Sequence, residues 1–193
     1  SLTEDRGELE IIRSYQVNNE SPLKTTLALG LTKGEKMDWV VEKATELGVH
    51  SVVPFVSSYT IPKLDEKKVV RRSERWQKIA LSAAKQCGRV RIPEIQAVTA
   101  FGDLVEPASR DKLRLLFWEK ECEQGLSELK GTLTSIGEVV VMIGPEGGFS
   151  AQEAALALEQ GCKAVRLGPR ILRAETAAVA ALSAVQLLWG DLA

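Results

Sequence analysis

Two glycine-rich turns contain the residue types best suited to holding a small molecule. They are residues 143–150, IGPEGGFS, and residues 167–176, LGPRILRAET. Glycine has no Cβ, so backbone amides and carbonyls in such turns approach a ligand closely. Neither turn has the spacing G-x-x-x-x-G-K-[ST] or a lysine to hold phosphate, which argues against a phosphate-binding loop. An uncharged or cationic ligand is compatible with Glu146 in the first turn.

The charged residues of these turns also have an ordinary structural interpretation. Glu146 in a tight, exposed turn needs no ligand to explain it. Arg173 and Glu175, beside the start of a helix, are typical of a surface ion pair and cap of small energetic value. Each turn taken alone therefore leaves the function open.

Each turn follows a predicted strand and precedes a predicted helix. From residue 26 onward such patterns alternate, which is typical of an α/β domain with a mostly parallel sheet. Because the carboxyl ends of parallel strands share one edge of the sheet, the two turns should flank one pocket. A capping box, Ser150 with Glu153, predicts the helix start after the first turn. Strands are predicted at 27–31, 51–56, 113–118, 139–143 and 164–167, and helices at 37–47, 76–87, 101–111 (short, with a loop) and 174–189.

The composition is that of a globular protein and argues against several classes. The 193 residues are 45% hydrophobic and 26% charged, with a formal net charge of −1, so neither wholesale disorder nor a uniformly basic nucleic-acid coat is expected. The longest apolar run, residues 177–182, is too short for a membrane span. The three cysteines form no CxxC pair, which favours a reducing cytoplasm and gives no sign of a metal site.

Four segments together resemble one enzyme family. The turns at 143–150 and 167–178, with KATELGV at 43–49 and AAKQCGR at 83–89, are similar to the bacterial small-subunit methyltransferase E family. That family forms N3-methyluridine in 16S ribosomal RNA and belongs to the SPOUT superfamily. The resemblance extends over residues 26–192.

The resemblance implies an architecture that periodicity alone does not reveal. It implies a SPOUT-type α/β fold: a mostly parallel sheet with helices on both faces, a C-terminal deep trefoil knot, and a homodimer. The methyltransferase domain would span residues 23–193. Relatives carry an N-terminal PUA-like β-barrel that grips RNA, so residues 1–22 are expected to be a remnant of that barrel and its linker.

The resemblance also implies S-adenosyl-L-methionine as the cofactor, held largely by backbone groups and apolar side chains. An apolar slot with hydrogen-bonding edges suits adenine. The residues expected to bracket the cofactor are Phe117, Trp118, Ile143, Gly144, Pro145, Glu146, Gly147, Gly148, Leu167, Gly168, Ile171, Leu172 and Ala174.

Methyl transfer to uracil N3 requires removal of the N3 proton and alignment of the reacting atoms. The catalytic candidates are Arg173, Glu175 and Glu146 at the pocket, with Arg89 at the end of AAKQCGR. An arginine suits stabilisation of the anionic uracil oxygens better than proton acceptance, because its pKa is above about 12. The identity of the base stays open. The only histidine, His50, is assigned to a structural or surface role.

The RNA partner, 16S rRNA in the small ribosomal subunit, needs a basic surface. Residues 63–91 include ten basic and three acidic residues, a local charge of +7, whereas the rest of the chain carries −8. Such a helix face would neutralise phosphates, although an ordinary solvated face has the same composition. The residues expected to contact RNA are Arg71, Arg72, Arg75, Arg89 and Arg91.

Two other functions are compatible with parts of the pattern. The first is a noncatalytic RNA-binding module that keeps the fold, but such a module would have little reason to keep both glycine turns and Arg173. The second is a doubly wound nucleotide-binding enzyme. The sequence shows neither its phosphate-binding lysine nor a ribose-binding acid after the first strand.

Overall fold

The computed structural model describes residues 10–14, 19–60, 66–106, 112–120, 125–133 and 136–192, which alternate between strand and helix. The strands are β1 (Lys24–Gly30), β2 (Ser51–Val56), β3 (Glu94–Ile95), β4 (Thr99–Ala100), β5 (Leu113–Phe117), β6 (Glu138–Ile143) and β7 (Lys163–Val165). The helices are α1 (Lys36–Glu46), α2 (Glu66–Cys87), α3 (Phe101–Val105), α4 (Leu126–Thr132), α5 (Ala151–Glu159) and α6 (Ala174–Trp189).

The described strands form one parallel sheet in the order β3-β2-β1-β6-β5-β7, and β4 also pairs with β2. Ile143, the last residue of β6, lies between Leu29 of β1 and Phe117 of β5. Phe117 in turn pairs with Val165, at the end of β7. The carboxyl ends of four strands therefore meet at one edge, where parallel sheets bind ligands.

The sheet is buried on both faces by helices. Leu115 and Val141 point into a core shared with α1, α2, α4 and α6, whereas Leu116 and Met142 point into a core with α3 and α5. Because successive strand residues face opposite sides, continuous apolar runs such as residues 139–143 are required at these positions. The predicted mostly parallel sheet with helices on both faces is confirmed.

The predicted elements agree with the structure most closely where patterns are long or apolar. The strand at 51–56, the helix at 174–189 and the capping box of α5 are confirmed, and the predicted strand at 164–167 is observed as Lys163–Val165. Helix α4 and strands β3 and β4 were not predicted, because elements of seven and two residues carry little periodicity.

Several sequence predictions concern residues that the structure does not describe or features that it does not contain in the described ranges. Most of residues 1–22 lie outside the described residues, and residues 10–14 belong to no strand. In the described ranges, no helix has the length and apolarity to cross a membrane, and no group of histidine, cysteine and acidic residues could hold a metal ion. Cys122 also lies outside the described residues.

Candidate active site

A cavity of about 1370 Å³ lies at the carboxyl ends of β5, β6 and β7. Residues 117–120, 143–149 and 162–174 form most of its described wall. Each of these segments includes the end of one of the three strands and the turn after it, so the parallel sheet brings together turns that are far apart in sequence. The expectation that both glycine turns flank one pocket is confirmed.

The first glycine turn, residues 143–150, depends on close backbone packing. Gly148 has φ of 70°, a left-handed conformation that favours glycine, and its amide donates a hydrogen bond to the Pro145 carbonyl at 2.9 Å. A Cβ on Gly147 would lie 2.6 Å from Cβ of Tyr59. A side chain at either glycine would therefore displace the turn that forms the cavity wall.

Two contacts on the far side of this turn attach it to the sheet. The Phe149 ring is buried and stacks on Phe55, with a centroid separation of 6.1 Å. Glu153 completes the capping box with Ser150 through one carboxylate oxygen, and its other oxygen accepts a hydrogen bond from the Ser58 amide at 2.8 Å. Sequence analysis found the capping box but missed the bond to Ser58, because contacts between distant segments leave no local pattern.

Lys36 lies at the cavity wall beside two carboxylates. Its Nζ is 3.1 Å from Glu146 Oε1 and 3.8 Å from Glu175 Oε2. Burial by itself would raise the pKa of Glu146, but hydrogen bonds from the Lys33 amide, its own amide and Lys36 outweigh burial and lower that pKa. Glu146 is therefore ionised at neutral pH, and it links the turn after β6 to the segment after β1. No local pattern in the sequence indicates that Lys36 belongs to the site.

The second turn, residues 167–176, leads from β7 into α6. Arg173 is the N-cap residue of α6, but its guanidinium makes no capping hydrogen bond, and its exposed side chain lines the cavity. Glu175 Oε2 is buried and accepts no hydrogen bond from the described residues. Among the ion pairs of the described residues, Glu175 pairs with Lys36 and not with Arg173. The surface pair suggested by sequence is thus replaced by a contact across the site.

The chain shares this arrangement with known RNA-modifying proteins. Residues 19–186 match the family model described as an RNA methyltransferase domain. The chain belongs to this RNA methyltransferase family. It is 36% identical over 199 aligned positions to ribosomal RNA small subunit methyltransferase E of Bacillus subtilis, covering 99% of this chain and 78% of the relative.

Solved structures show the same fold with a bound ligand. Ribosomal RNA small subunit methyltransferase E from Neisseria gonorrhoeae, bound to S-adenosyl methionine, has a TM-score of 0.80 and 36% identity, covering 91% of this chain and 70% of that one. A Legionella pneumophila protein in complex with the same cofactor has a TM-score of 0.84 and 37% identity, covering 92% and 72%. The RNA methyltransferase fold therefore extends over nearly the whole chain.

The residues predicted to hold a cofactor lie together in this methyltransferase. All thirteen, from Phe117 to Ala174, line the cavity. Trp118 adds a feature that sequence did not predict. Its side chain is buried, and its indole Nε1 has no hydrogen-bond partner in the described part of the chain. Buried polar groups usually have a hydrogen-bond partner, so the unpaired Nε1 is a donor that a ligand or an ordered water would satisfy.

The basic residues of the methyltransferase's helix α2 are less uniform than their sequence suggests. Arg71 and Arg91 are exposed and Arg72 is half-buried. Arg75 forms an ion pair with Asp38 of α1, with a separation of 2.5 Å. Lys63, at the start of the basic segment, lies outside the described residues.

Arg89 does not fit the RNA-contacting surface or the catalytic candidates. Its side chain is 6% exposed, and Nη2 lies 2.6 Å from Glu20 Oε2. Nη1 donates to the carbonyls of Thr45 and Val49 at 2.9 Å. Arg89 lies outside the described cavity wall, so the prediction is corrected: this guanidinium ties the linker before β1 to α1 and α2. His50 is exposed and is likewise outside that wall.

Proposed function

We propose that this RNA methyltransferase transfers a methyl group from S-adenosyl-L-methionine to N3 of a specific uridine in small-subunit 16S rRNA. The observation that carries the proposal is the cavity formed by the turns after β5, β6 and β7 in a chain of this family. The retention of both glycine turns and of Arg173 in one cavity favours a catalyst over a noncatalytic RNA-binding module.

The cavity wall fits the cofactor. The backbone of residues 143–148 is free of side chains at three glycines, and Trp118 Nε1 supplies an unpaired donor. Phe117, Ile143 and Leu172 supply apolar surface for an adenine ring. The bound cofactor would supply an electrophilic methyl carbon attached to a sulfonium. The leaving group is the neutral thioether, whose sulfur keeps the electron pair of the broken carbon–sulfur bond. The thirteen cavity residues would hold that group, mostly through the backbone.

Charged residues at the cavity would assist the uracil. As N3 bonds to the methyl carbon, its proton must pass to an acceptor, and negative charge spreads to the uracil oxygens. Arg173 lines the cavity, so its guanidinium would stabilise that charge. Glu146 is already hydrogen-bonded to Lys33 and Lys36, which suits it to holding the turn. Glu175 is not among the residues of the described cavity wall, and its unpaired Oε2 is buried 3.8 Å from Lys36 Nζ, so the identity of the proton acceptor stays open between Glu146 and Glu175.

The strand order supports the deep trefoil knot that the resemblance implies. β7 lies at the sheet edge beyond β5, whereas the following helix α6 packs against α1, β1 and β6. Residues 166–173, which connect β7 to α6, must therefore pass over the carboxyl ends of the intervening strands. This path is compatible with a chain end that passes through a loop to form a knot, an arrangement that is rare in proteins.

Helix α6 also supports a homodimer. One face is buried in the core through Ala178, Leu182 and Val185. A second, largely apolar stripe at Val179 and Ala180 continues to Leu187, which is 54% exposed. A helix that is apolar on two faces requires a second partner, and a symmetric copy of this chain would cover it.

The RNA is proposed to contact basic residues of α2 and the loop after it: the exposed Arg71 and Arg91 and the half-buried Arg72, with Arg75 at the margin. Residues 1–22 would belong to a PUA-like barrel and its linker and would precede the methyltransferase domain of residues 23–193. The substrate would be 16S rRNA within the small ribosomal subunit, so the enzyme would act in the cytoplasm.

Calorimetric titration with S-adenosylhomocysteine, beside titration with ATP, tests the cofactor. Binding of the first without the second is expected, and the reverse would refute the proposal. Methylation of unmodified small subunits, compared with naked 16S rRNA and followed by mapping of the modified base, tests the substrate. A modification at any position other than uracil N3 would contradict the assignment of the reaction.

A further inference from the structure

A second basic surface lies on the cavity itself. Residues 163–173, KAVRLGPRILR, contain four basic residues and no acidic residue. We call these four, Lys163, Arg166, Arg170 and Arg173, the rim patch. All four residues line the cavity, and all four are exposed.

The fold makes no use of this charge. In the described part of the chain, none of the rim-patch side chains has an ion pair or a hydrogen bond, whereas Lys36 on the same cavity is paired with Glu146. Four unpaired like charges within eleven residues repel one another and weaken the fold unless an anion binds there. The rim patch therefore indicates a ligand with several negative charges.

The cofactor does not satisfy that requirement. S-adenosylmethionine carries one carboxylate, which one cation balances, and its sulfonium is positive. A nucleic acid strand carries one negative charge on each phosphate, and basic side chains at exposed positions are its usual partners. Arginine is particularly suited because its planar guanidinium binds phosphate through two hydrogen bonds.

We propose that Lys163, Arg166 and Arg170 bind the phosphates that flank the target uridine in a single-stranded RNA segment, and so hold the strand over the cavity. The inference rests on the proposed function and adds a site to it. Contacts to the backbone fix the position of a strand without reading its sequence, while the extruded base enters the pocket. Arg173, the rim-patch residue nearest α6, would then face the base.

The test compares two variants that lose the same charge. Arg166→Gln with Arg170→Gln removes two rim-patch cations. Lys24→Gln with Lys112→Gln removes two cations paired with Glu138 at the opposite, amino-terminal edge of the sheet. Binding of a fluorescein-labelled, uridine-rich oligoribonucleotide is measured by anisotropy over a range of salt concentrations. Affinity for S-adenosylhomocysteine and the kinetics on unmodified small subunits are measured on the same preparations.

The rim variant should bind RNA roughly tenfold more weakly, with a salt slope smaller by about 1.4, because each phosphate contact to a single strand contributes about 0.7. Its KM for RNA should rise with kcat little changed, and its affinity for S-adenosylhomocysteine should equal that of the wild type. The Lys24/Lys112 variant should match the wild type. Arg166→Lys with Arg170→Lys should restore most of the lost affinity, since charge is retained.

Three outcomes would overturn the proposal. RNA affinity in the rim variant within about twofold of the control variant would reject the patch as a phosphate site. Loss of S-adenosylhomocysteine affinity would assign these cations to the cofactor carboxylate. A wild type that binds no S-adenosylhomocysteine and methylates no RNA would remove the proposed function as well. The first of these outcomes, seen with an active wild type, would remove this inference alone.

Discussion

Two basic regions of the molecule use their charge in different ways. The region of α2 and its following loop includes Arg75 and Arg89, both committed to carboxylates of neighbouring elements. The rim patch at the cavity, residues 163–173, has four cations without a carboxylate partner in the described chain. The first region has more charge, but the fold uses part of it in ion pairs, whereas all four cations of the rim patch are available to a ligand. Net charge along a sequence therefore does not measure the charge that a partner meets.

The difference follows from packing. Arg89 follows α2 at a point where the linker before β1 also passes, so Glu20 can enclose its guanidinium. Two further amides, those of Val90 and Arg91, donate to the same carboxylate. Residues 163–173 instead begin in the edge strand β7 and continue beyond it, where no described acidic residue forms an ion pair with them. Position in the fold decides whether a cation stabilises the protein or remains free.

Arg89→Met should have the largest effect of the changes considered, and on stability. Removing one partner of a buried ion pair typically costs about 3–5 kcal/mol, because the remaining charge is left buried. Glu20 keeps two backbone hydrogen bonds, so the lower end of that range is expected. Urea unfolding followed by tryptophan fluorescence measures the loss.

Arg91→Met is the matched control for Arg89. The Arg91 side chain is exposed, and its backbone amide still donates a hydrogen bond to Glu20 after the change. The free energy of unfolding should therefore fall by no more than about 0.5 kcal/mol. Equal stability losses in the two variants would contradict the division between structural and available cations. RNA affinity reduced by Arg89→Met in a fully folded sample would do the same.

Arg173→Ala tests whether this rim-patch residue stabilises the transition state. Removing a group that stabilises charge in the transition state lowers kcat by about 100-fold. Affinity for S-adenosylhomocysteine should be preserved, since the cofactor contacts are mostly backbone. The measurement is kcat and KM for methylation of small subunits.

Arg170→Ala provides the contrast within the same turn. It should raise KM for RNA and leave kcat within about threefold, as expected for a phosphate contact and not a transition-state contact. If Arg173→Ala abolished binding of S-adenosylhomocysteine, its role would be cofactor binding. If Arg170→Ala lowered kcat as much as Arg173→Ala, the proposed distinction between them would fail.

Sequence reasoning succeeded where one physical requirement dominates a long segment. Residues 139–143 must be apolar because both faces of β6 are buried, and Ser150 with Glu153 satisfies the amides at the start of α5. These patterns, with the resemblance, also predicted which turns form the cavity. The cavity was predictable because parallel strands end at one edge.

The residues that sequence reasoning missed or misplaced act through contacts between distant segments. Arg89 pairs with Glu20, 69 positions away, and Glu146 pairs with Lys36, 110 positions away. A charge count treats these residues as free, because it contains no information on the partner that folding brings near. The rim patch was missed for the converse reason. Four cations in eleven residues are inconspicuous until the structure shows that nothing neutralises them.

Arg71→Gln with Arg72→Gln measures how much these two α2 arginines contribute to RNA affinity. These two residues are partly or fully exposed, so their loss should weaken RNA affinity by about threefold, less than the rim variant. Anisotropy at several salt concentrations should show a shallower slope. Arg75→Gln is the control, because its guanidinium is held by Asp38, and RNA affinity should stay within about twofold of the wild type. A larger loss for α2 than for the rim patch would reverse the order of the two regions.

The smallest expected effect is on the dependence of stability on pH. Burial by itself would raise the pKa of Glu20, but the hydrogen bond and charge of Arg89, with two backbone amides, lower that pKa below its ordinary value of 4.5. The Glu20 carboxylate therefore contributes stability that is present above pH 4.5 and is lost as pH falls through the lower, folded-state value. In Glu20→Gln the free energy of unfolding should decline less steeply below pH 4.5 than in the wild type.

Glu138→Gln is the surface counterpart of Glu20→Gln, and the two together distinguish a buried ion pair from exposed ion pairs as sources of stability. Hydrogen bonds from Lys112 and Lys24 lower the pKa of Glu138 too, but both lysines are substantially exposed. The Debye length in salt solution falls from about 10 Å at 0.1 M to about 3 Å at 1 M, so 1 M salt weakens exposed contact pairs but screens a buried pair much less. In urea unfolding series below pH 4.5, added salt should therefore remove the difference between Glu138→Gln and wild type while leaving that of Glu20→Gln. If salt removed both differences equally, the Glu20–Arg89 pair would behave as surface charge, and the contrast between the two basic regions would not hold.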